Sequence, residues 1–489
     1  MDYFQDATTQ RFTFTSYAAG VSETTFAVLR FKGMEAISTP YEFEIMLVSG
    51  DPDVDLSALL QSQAVFTIHR DKGDDVAYNG ILAEFDQLHA YGDHYFYRAK
   101  LVPKIWWLMQ TQHNQVFLDK TVPEIIEGAL VDGGMDSLDY DVSALEGTYN
   151  PVEYVCQYGE SHFNFVSRWL EREGVYYYFY HDSDGDKLVL SDSSFSHEPF
   201  HQGADLVYSP KTGMEQGHLD ELILNFTCRQ KQLPNRIVLK DHNPERPSLE
   251  MAVRADVDPD GRGESFLYGE HYSTPEEGER LVLFRAEELL CQKQAFHGDS
   301  TVPFLSPGFK FNMNQHYRSA FNQEYMVTSV THEGDQTNLL KTSVIGSLSD
   351  DAEINIYSNS FTAIPADRQY RHPRTADRPR ISGTLHGKID GEQDSPYAQL
   401  DEQGRYKVKL PFDINDEHID GKASARVRMM QPYAGEGKGM QFPLTKGTEV
   451  LLTFIDGNPD RPVIAGAVSS ETAPSPVNAD NQSESVIRS

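Results

Sequence analysis

The sequence predicts a mainly β protein: two β-rich stretches separated by an α/β insert, then a small terminal β unit. Three observations carry this. Apolar and polar residues alternate with period two over short runs from about residue 11 to 100 and again after 217, with Gly and Asp turns between them. Helical stripes with caps appear only within 119–205 and once more after Thr274. Finally, Val450, Leu452 and Phe454 alternate with Leu451 and Thr453, and a dense turn, Asp456-Gly457-Asn458-Pro459, joins them to the β-branched run Pro462–Val468.

Taken in order, Thr25–Phe31 and Tyr41–Val48 alternate, and Val65–His69 and Gly80–Phe85 follow at intervals that suit a sandwich or barrel. Tyr97–Leu108 runs through Pro103 into an aromatic helix start. Thr121-Val-Pro-Glu124 is a capping box, and Ile126, Ala129 and Leu130 form the stripe behind it. Ser161 is placed to cap a helix with Phe163, Val166 and Leu170 on one face, and Gly174 to end it in the left-handed region. A hairpin follows, from Val175–Tyr180 through the turn Asp182–Asp186 to Leu188–Leu190. Thr274-Pro-Glu-Glu277 caps a later helix with Val282, Ala286, Leu289 and Leu290 on one side. Residues 361–380 gather Arg368, Arg371, Arg374, Arg378 and Arg380 among Pro365, Pro373 and Pro379. That stretch reads as an extended linker, or else as a strap whose arginines pair with an acidic neighbouring subunit. Arg405–Leu410 is a further strand, and 469–489 is polar without a core pattern.

At 489 residues the chain is long enough for two to four domains with full cores. Its formal charge of −32 argues against a nucleic-acid or anionic-membrane surface, since both need cationic patches. Cys156, Cys228 and Cys291 form no Cys-x-x-Cys pair, so they read as buried or half-buried thiols. No apolar run approaches a membrane span, and Met1–Asp6 lacks the basic start and apolar stretch of a signal peptide.

Catalytic and metal motifs were sought by spacing. Gly159-Glu-Ser-His opens like a nucleophile elbow, but Phe163 closes it and Ser161 serves as a cap. Gly435-Glu-Gly-Lys-Gly439 lacks the hydroxyl residue that a phosphate loop needs after its Lys. Asp256-Val-Asp-Pro-Asp-Gly261 copies the first half of a calcium loop, with Leu267 where the bidentate Glu belongs; Asp182, Asp184 and Asp186 sit at a hairpin tip. Both read as solvated turns, and His181 and His197 as surface residues. No catalytic, cofactor-binding or metal-ligating residue is assigned, and no cofactor is expected.

Several of these strings also resemble one family. Gly439–Val468 and then Glu153–Phe179 most strongly, with Phe31–Phe43 and Tyr97–Leu108 beside them, resemble the OB-type barrel and hub of VgrG spike proteins of bacterial type VI secretion. Asn458 stands where the family favours Asp, and Lys104 where it often has an aromatic. The resemblance implies a hub region over 1–365, with a barrel at about 11–110, an α/β insert at 111–215 and a second barrel at 216–360. A linker at 366–380, an OB domain at 381–468 and a neck at 469–489 would follow, the neck leading to a β-helix absent from this chain. It further implies a homotrimer that caps an Hcp tube, carries a PAAR-type tip and effectors through the missing C-terminal region, and meets a target membrane only mechanically. Such a protein is not an enzyme, and it leaves the cytoplasm through the secretion apparatus without a signal peptide. The alternatives are the tail hub of a phage or phage-like injection particle, and a spike with an undetected hydrolase activity.

Overall fold

In the computed structural model the described residues are 10–60, 62–182, 185–210, 221–337 and 356–487. Asp184 and Ser489 therefore lie outside them, and Asp182 is described in its backbone alone. The chain divides into two compact units. One comprises Met1–Trp107, Val131–Gly147 and Leu170–Arg374; the other comprises Leu108–Leu130, Thr148–Trp169 and Thr375–Ser489.

The first unit is built on a twelve-stranded sheet. Its first half orders the strands Phe12–Ser16, Gln63–Ile68, Val76–Tyr91, His94–Val102, Thr39–Ser49 and Ala27–Ala36. The second half continues through Glu324–Asp335, Tyr357–Pro365, Gln294–Ser300 and Ile223–Gln230. The seam is the antiparallel pairing of Ala27–Ala36 with Glu324–Asp335, so the two β-rich stretches share one hydrogen-bonded sheet although roughly three hundred residues separate them. Strand glycines sit where aromatic rings need the backbone. Gly33 lies opposite Phe43 and Gly298 opposite Phe361, and a Cβ would come within 2.1 Å and 2.4 Å of the facing rings. These rings cover bare backbone and fix register, because a slip by one residue would drive them into a side chain. The core of the second half gathers Phe226, Phe296, Phe311, Tyr325 and Phe361.

A smaller element of this unit stacks the helix Pro275–Cys291 on the three-stranded sheet of Ala252–Asp256, Arg236–Lys240 and Glu264–Tyr268. Thr274 Oγ1 accepts from Glu277 N at 3.2 Å, and Glu277 in turn accepts from Ser273 N at 2.8 Å. The buried stripe is Leu281, Val282, Arg285 and Ala286, with Leu289 at its edge, so Leu281 takes the inward place that the sequence pattern gave to Leu290. The hairpin Tyr176–Asp182/Gly185–Ser191 forms where the alternation put it.

The second unit holds the OB-type sheet, ordered Val408–Lys409, Leu385–Ile389, Glu449–Phe454 and Pro462–Ala467. Val450, Leu452 and Phe454 all face inward. The expected strand Arg405–Leu410 is ladder-paired over only two residues; Val408 N goes instead to Ser424 Oγ at 2.8 Å, and Tyr406 bridges Val427. The strands Gln112–Lys120 and Val152–Ser161 pair antiparallel, and Val116, Tyr154 and Cys156 enter the same core as Tyr406, Val450 and Leu452. The stretch expected to be one insert at 111–215 is thus shared between the units, because part of its apolar surface completes the OB core. The capping box is formed, with Thr121 N donating to Glu124 Oε2 at 2.7 Å. Ser161 Oγ accepts from Asn164 N at 3.1 Å and starts the helix His162–Glu173. That helix buries Phe165, Val166, Trp169 and Leu170, whereas Phe163 is only half-buried, so the inward face is rotated from the expected one.

Candidate functional site

The most constrained polar group in the first unit is Glu35, in the Gly33-x-Glu35 step. The alternation of its strand places Phe31, Gly33 and Glu35 inward and leaves Met34 outward at 47% exposure. A carboxylate in that position must find donors, and it finds three. Tyr78 Oη donates to Oε1 at 3.0 Å, His332 Nε2 to Oε1 at 2.8 Å, and Ser306 Oγ to Oε2 at 3.1 Å. With Nε2–H so used, His332 Nδ1 accepts from the Tyr357 hydroxyl at 2.6 Å. Asn359 donates to that same hydroxyl at 2.9 Å and accepts from Ser300 Oγ at 2.7 Å. Burial, with the Glu35 charge behind it, pushes the Tyr78 phenol well above its usual range, so it stays a donor. The line runs from the strand bearing Glu35 to those bearing Tyr78, His332, Tyr357 and Ser300 and stitches both halves of the sheet. It has every residue type of a proton relay, yet it is sealed in aromatic core, with Phe43 against Tyr78 at 4.3 Å. Its chemistry is that of a polar clamp.

The second unit carries its own. Asp456 and Gly457 both have positive φ, 54° and 72°, which tightens the turn and aims Asp460 back at the neighbouring strand. Asp460 Oδ1 accepts from Cys156 N at 2.7 Å, and the Cys156 carbonyl accepts from Arg168 at 3.0 Å. Arg168 grips Glu160 with Nη2 at 2.8 Å and Nε at 3.0 Å. The turn motif is therefore a strand-to-barrel fastening. Burial, then the Asp460 charge, pushes the Cys156 thiol far above its ordinary value, so it is no nucleophile.

The residues singled out by sequence scatter among structural roles. Asp258 is buried and ion-paired with Lys293 at 2.7 Å while receiving Asp260 N, and so anchors its turn. Asp186 faces Tyr41 and Lys104, and burial raises its carboxyl to about 6. His197 corrects the surface expectation: it is buried, bonded to Tyr176 Oη at 2.7 Å and to the Gly308 carbonyl, and burial lowers it to about 4. His181 is half-buried against the rings of Tyr41 and Tyr78. All three cysteines are free, Cys156 buried and Cys228 and Cys291 half-buried. Gly435–Gly439 forms an exposed hairpin.

The arginine-rich stretch also differs from the strap reading. Arg371 donates to Glu287 at 2.7 Å and to the carbonyls of Gly174 and Asp192 at 2.6 Å each, lying over Phe284. Arg374 meets Glu270 at 2.5 Å and Arg368 meets Gln294 at 3.1 Å. Their partners lie in their own chain. An open groove of about 410 Å³ between Arg30, Lys32, Glu44, Glu333 and Asp335 mixes both charges. Among the described residues no group of three or more His, Cys, Asp or Glu is arranged to hold a metal, and no helix is long and apolar enough to cross a membrane.

What sequence reasoning missed was Glu35 and its line. The signal was present: a Glu in phase with Phe31, while Met34 takes the outward phase. The partners, from 43 to 297 residues away, carried no such mark.

Comparison with known proteins agrees with this architecture. Residues 34–338 match the phage tail baseplate hub (GPD) family, and residues 398–468 match the type VI secretion system/phage-baseplate injector OB domain. The type VI secretion spike protein VgrG1b of Pseudomonas aeruginosa is 29% identical over 451 residues, 91% of this chain and 59% of that protein. The chain thus spans about six tenths of that relative's length. Among solved structures, the E. coli c3393 protein, a type VI secretion component described as similar to T4 phage tail proteins gp27 and gp5, superposes with a TM-score of 0.66. It is 22% identical and covers 93% of this chain and 99% of its own. A Francisella PdpA–VgrG complex gives a TM-score of 0.64 at 9% identity, covering 96% of this chain and 72% of that one. The chain belongs to the phage tail baseplate hub family, joined to an injector OB domain, and the resemblance to VgrG spike proteins holds along it.

Proposed function

We propose that this chain is the hub and upper spike of a type VI secretion machine, acting as a rigid mechanical part and not as an enzyme. The observation that carries the reading is one architecture in one order: a hub whose two β halves share a sheet, followed by an OB unit. Three chains, each with two β halves, would present a pseudo-sixfold ring to a hexameric Hcp tube. The three OB units would narrow that ring toward a threefold tip. A PAAR-type tip and effector cargo would ride on the assembled spike, and the Francisella PdpA–VgrG complex supports the idea that such spikes bear partners. Assembly would take place in the cytoplasm, with export through the apparatus itself. The clamps at Glu35 and Asp460 suit a part that must transmit thrust without yielding.

Light scattering and electron microscopy of the purified chain test this reading. A trimeric mass and a ring that caps Hcp tubes are expected; a stable monomer that leaves tubes uncapped would overturn it. The hub family is shared with phage tails, so a phage-like injection particle is the second reading, and copurification with capsid rather than Hcp components would favour it. Turnover of peptidoglycan or nucleic acid by the pure chain would overturn the non-enzymatic assignment.

A further inference from the structure

The twelve-stranded sheet of the hub unit must dispose of its ends, because an unpaired strand edge leaves backbone donors and acceptors open. Its two halves do so differently. In the second half the strand Asp205–Val207 pairs with Lys310–Asn314, and just beyond it Tyr208 bridges Ile223, with Ser209 N donating to the Ile223 carbonyl at 2.9 Å. Backbone thus carries the pairing round to the edge strand Ile223–Gln230. In the first half, among the described residues, no ladder joins the outer strand Phe12–Ser16 to Ala27–Ala36.

One side chain fills that gap. The ladder of Glu324–Asp335 ends with Asp335 opposite Arg30, and Gln336 N carries it one step on, to the Leu29 carbonyl at 2.9 Å. The Gln336 side chain, 1% exposed, then crosses to the outer strand. Its Oε1 accepts from Arg11 N at 2.9 Å and Phe12 N at 3.0 Å. Its Nε2 donates to the Phe12 carbonyl at 2.9 Å and to the Val28 carbonyl at 2.6 Å. A primary amide offers an acceptor oxygen and two N–H donors, the same groups that a neighbouring strand would present. The outer strand is turned to suit. His69 N donates to the Arg11 carbonyl at 2.9 Å and Tyr17 N to the Gln63 carbonyl at 3.0 Å, so alternation directs Thr13 and Thr15 to the strand Gln63–Ile68 and Phe12 to Gln336.

A ladder closes a sheet through many residues acting together. A side chain closes it through one set of torsions, and a change in them releases all four of these bonds at once. We propose that Gln336 is a latch: it closes the first β half into a barrel, and the hub opens first at this seam, between Phe12 and Val28, while Phe12–Ser16 stays paired to Gln63–Ile68. The second half, closed by backbone, has no such step. The latch is a property of the hub unit and goes beyond the proposed function, since it stands for a secretion spike and for a phage-like particle alike. Opened, the seam presents two strand edges whose backbone groups can pair with another strand.

Residue-resolved hydrogen exchange of the full chain tests it. In the wild type the Phe12 amide should exchange faster than those of Thr13 and Thr15 on the same strand. Gln336→Leu should speed exchange at Phe12 by about tenfold or more, the effect of losing roughly one net hydrogen bond, and leave Thr13, Thr15 and Ser209 as they were. Gln336→Glu keeps the acceptor but turns a carboxylate on two carbonyls, so an intermediate loss is expected. If the wild-type Phe12 amide exchanges only together with Thr13 and Thr15, the strand leaves as a whole and the latch is overturned. Unchanged protection of Phe12 in Gln336→Leu overturns it too, and so does a loss shared equally by Ser209, which marks general destabilisation. Should Gln336→Leu fail to fold, the wild-type pattern and Gln336→Glu decide.

Discussion

The hub unit and the OB unit solve one problem in opposite ways. The hub unit closes its own core: ring packs on ring, glycines admit the rings, and the charged group that enters, Glu35, is met by three donors. The OB unit has short strands, and its core is not drawn from 381–468 alone. It borrows Val116, Tyr154 and Cys156 from far upstream and leaves Tyr433, Phe442 and Ile414 uncovered. A large sheet can be self-sufficient because burial rises with size, whereas a small barrel must take its completion from elsewhere. The fastening is correspondingly different. In the hub it is a deep side-chain line; in the OB unit it is a turn carboxylate on a strand amide, with Arg168 holding the carbonyl of the same residue and Glu160.

The sharpest way to break the contrast is at Glu35. Glu35→Ala removes the acceptor for three buried or half-buried donors, and each orphaned donor costs its full desolvation. A loss of roughly 4 kcal/mol or more is expected by chemical denaturation. Glu35→Gln should lose less, since it still accepts. A loss below about 1 kcal/mol for Glu35→Ala would mean that the line is decoration on a core that holds without it.

Phe454→Ala tests the OB core itself and should cost about 3 kcal/mol, because the ring is buried and the small barrel has little to collapse into the gap. A loss of a few tenths would show that the borrowed strands, not the barrel's own face, hold the unit.

These two positions also mark what was legible in the sequence. Phe454 was, because alternation and the four-residue turn Asp456–Pro459 decide its side of the sheet locally. The caps at Thr121, Ser161 and Thr274 were legible for the same reason: donor and acceptor lie three residues apart. Glu35 was half-legible, its inward phase visible but its partners not. The sharing of the 111–215 stretch between units and the in-chain partners of Arg371 and Arg374 were hidden, since nothing near those residues encodes contacts made so far away, 84 and 104 positions for the two arginines. His197 misled for a related reason. Its neighbour Glu198 suggested surface, but Tyr176 and Gly308, distant in sequence, bury it.

Asp460→Ala addresses the turn fastening of the OB unit. It withdraws a charged acceptor from Cys156 N, and about 2 kcal/mol should be lost. Hydrogen exchange gives the finer readout: the Cys156 amide should lose protection together with its neighbours in Val152–Ser161. Protection unchanged there would show that the apolar contacts of Val116 and Tyr154 suffice, and that the turn motif serves only the chain reversal.

The smallest effect sharpens the comparison, because it concerns a hub carboxylate whose burial is not compensated as Glu35's is. Asp186 is raised to about 6 mainly by burial, with Lys104 and the Tyr41 hydrogen bond opposing the rise. The folded state therefore binds its proton more tightly than the unfolded chain, whose carboxyl titrates near 3.8. Below the unfolded value both states are protonated and the group is neutral in the balance. As pH climbs from there to the folded value, unfolding releases a proton, and stability falls; above about 6 the penalty is complete. Asp186→Asn keeps the side chain's size and removes the charge, so it should stabilise the protein at pH 7 by about 1–2 kcal/mol and by nothing near pH 3.5. Denaturant midpoints of the two proteins across that range measure it. A gain that persists at the acid end would point to packing and not to the buried charge. A loss at pH 7 would mean that Lys104 and Tyr41 compensate Asp186 as fully as Tyr78, His332 and Ser306 compensate Glu35.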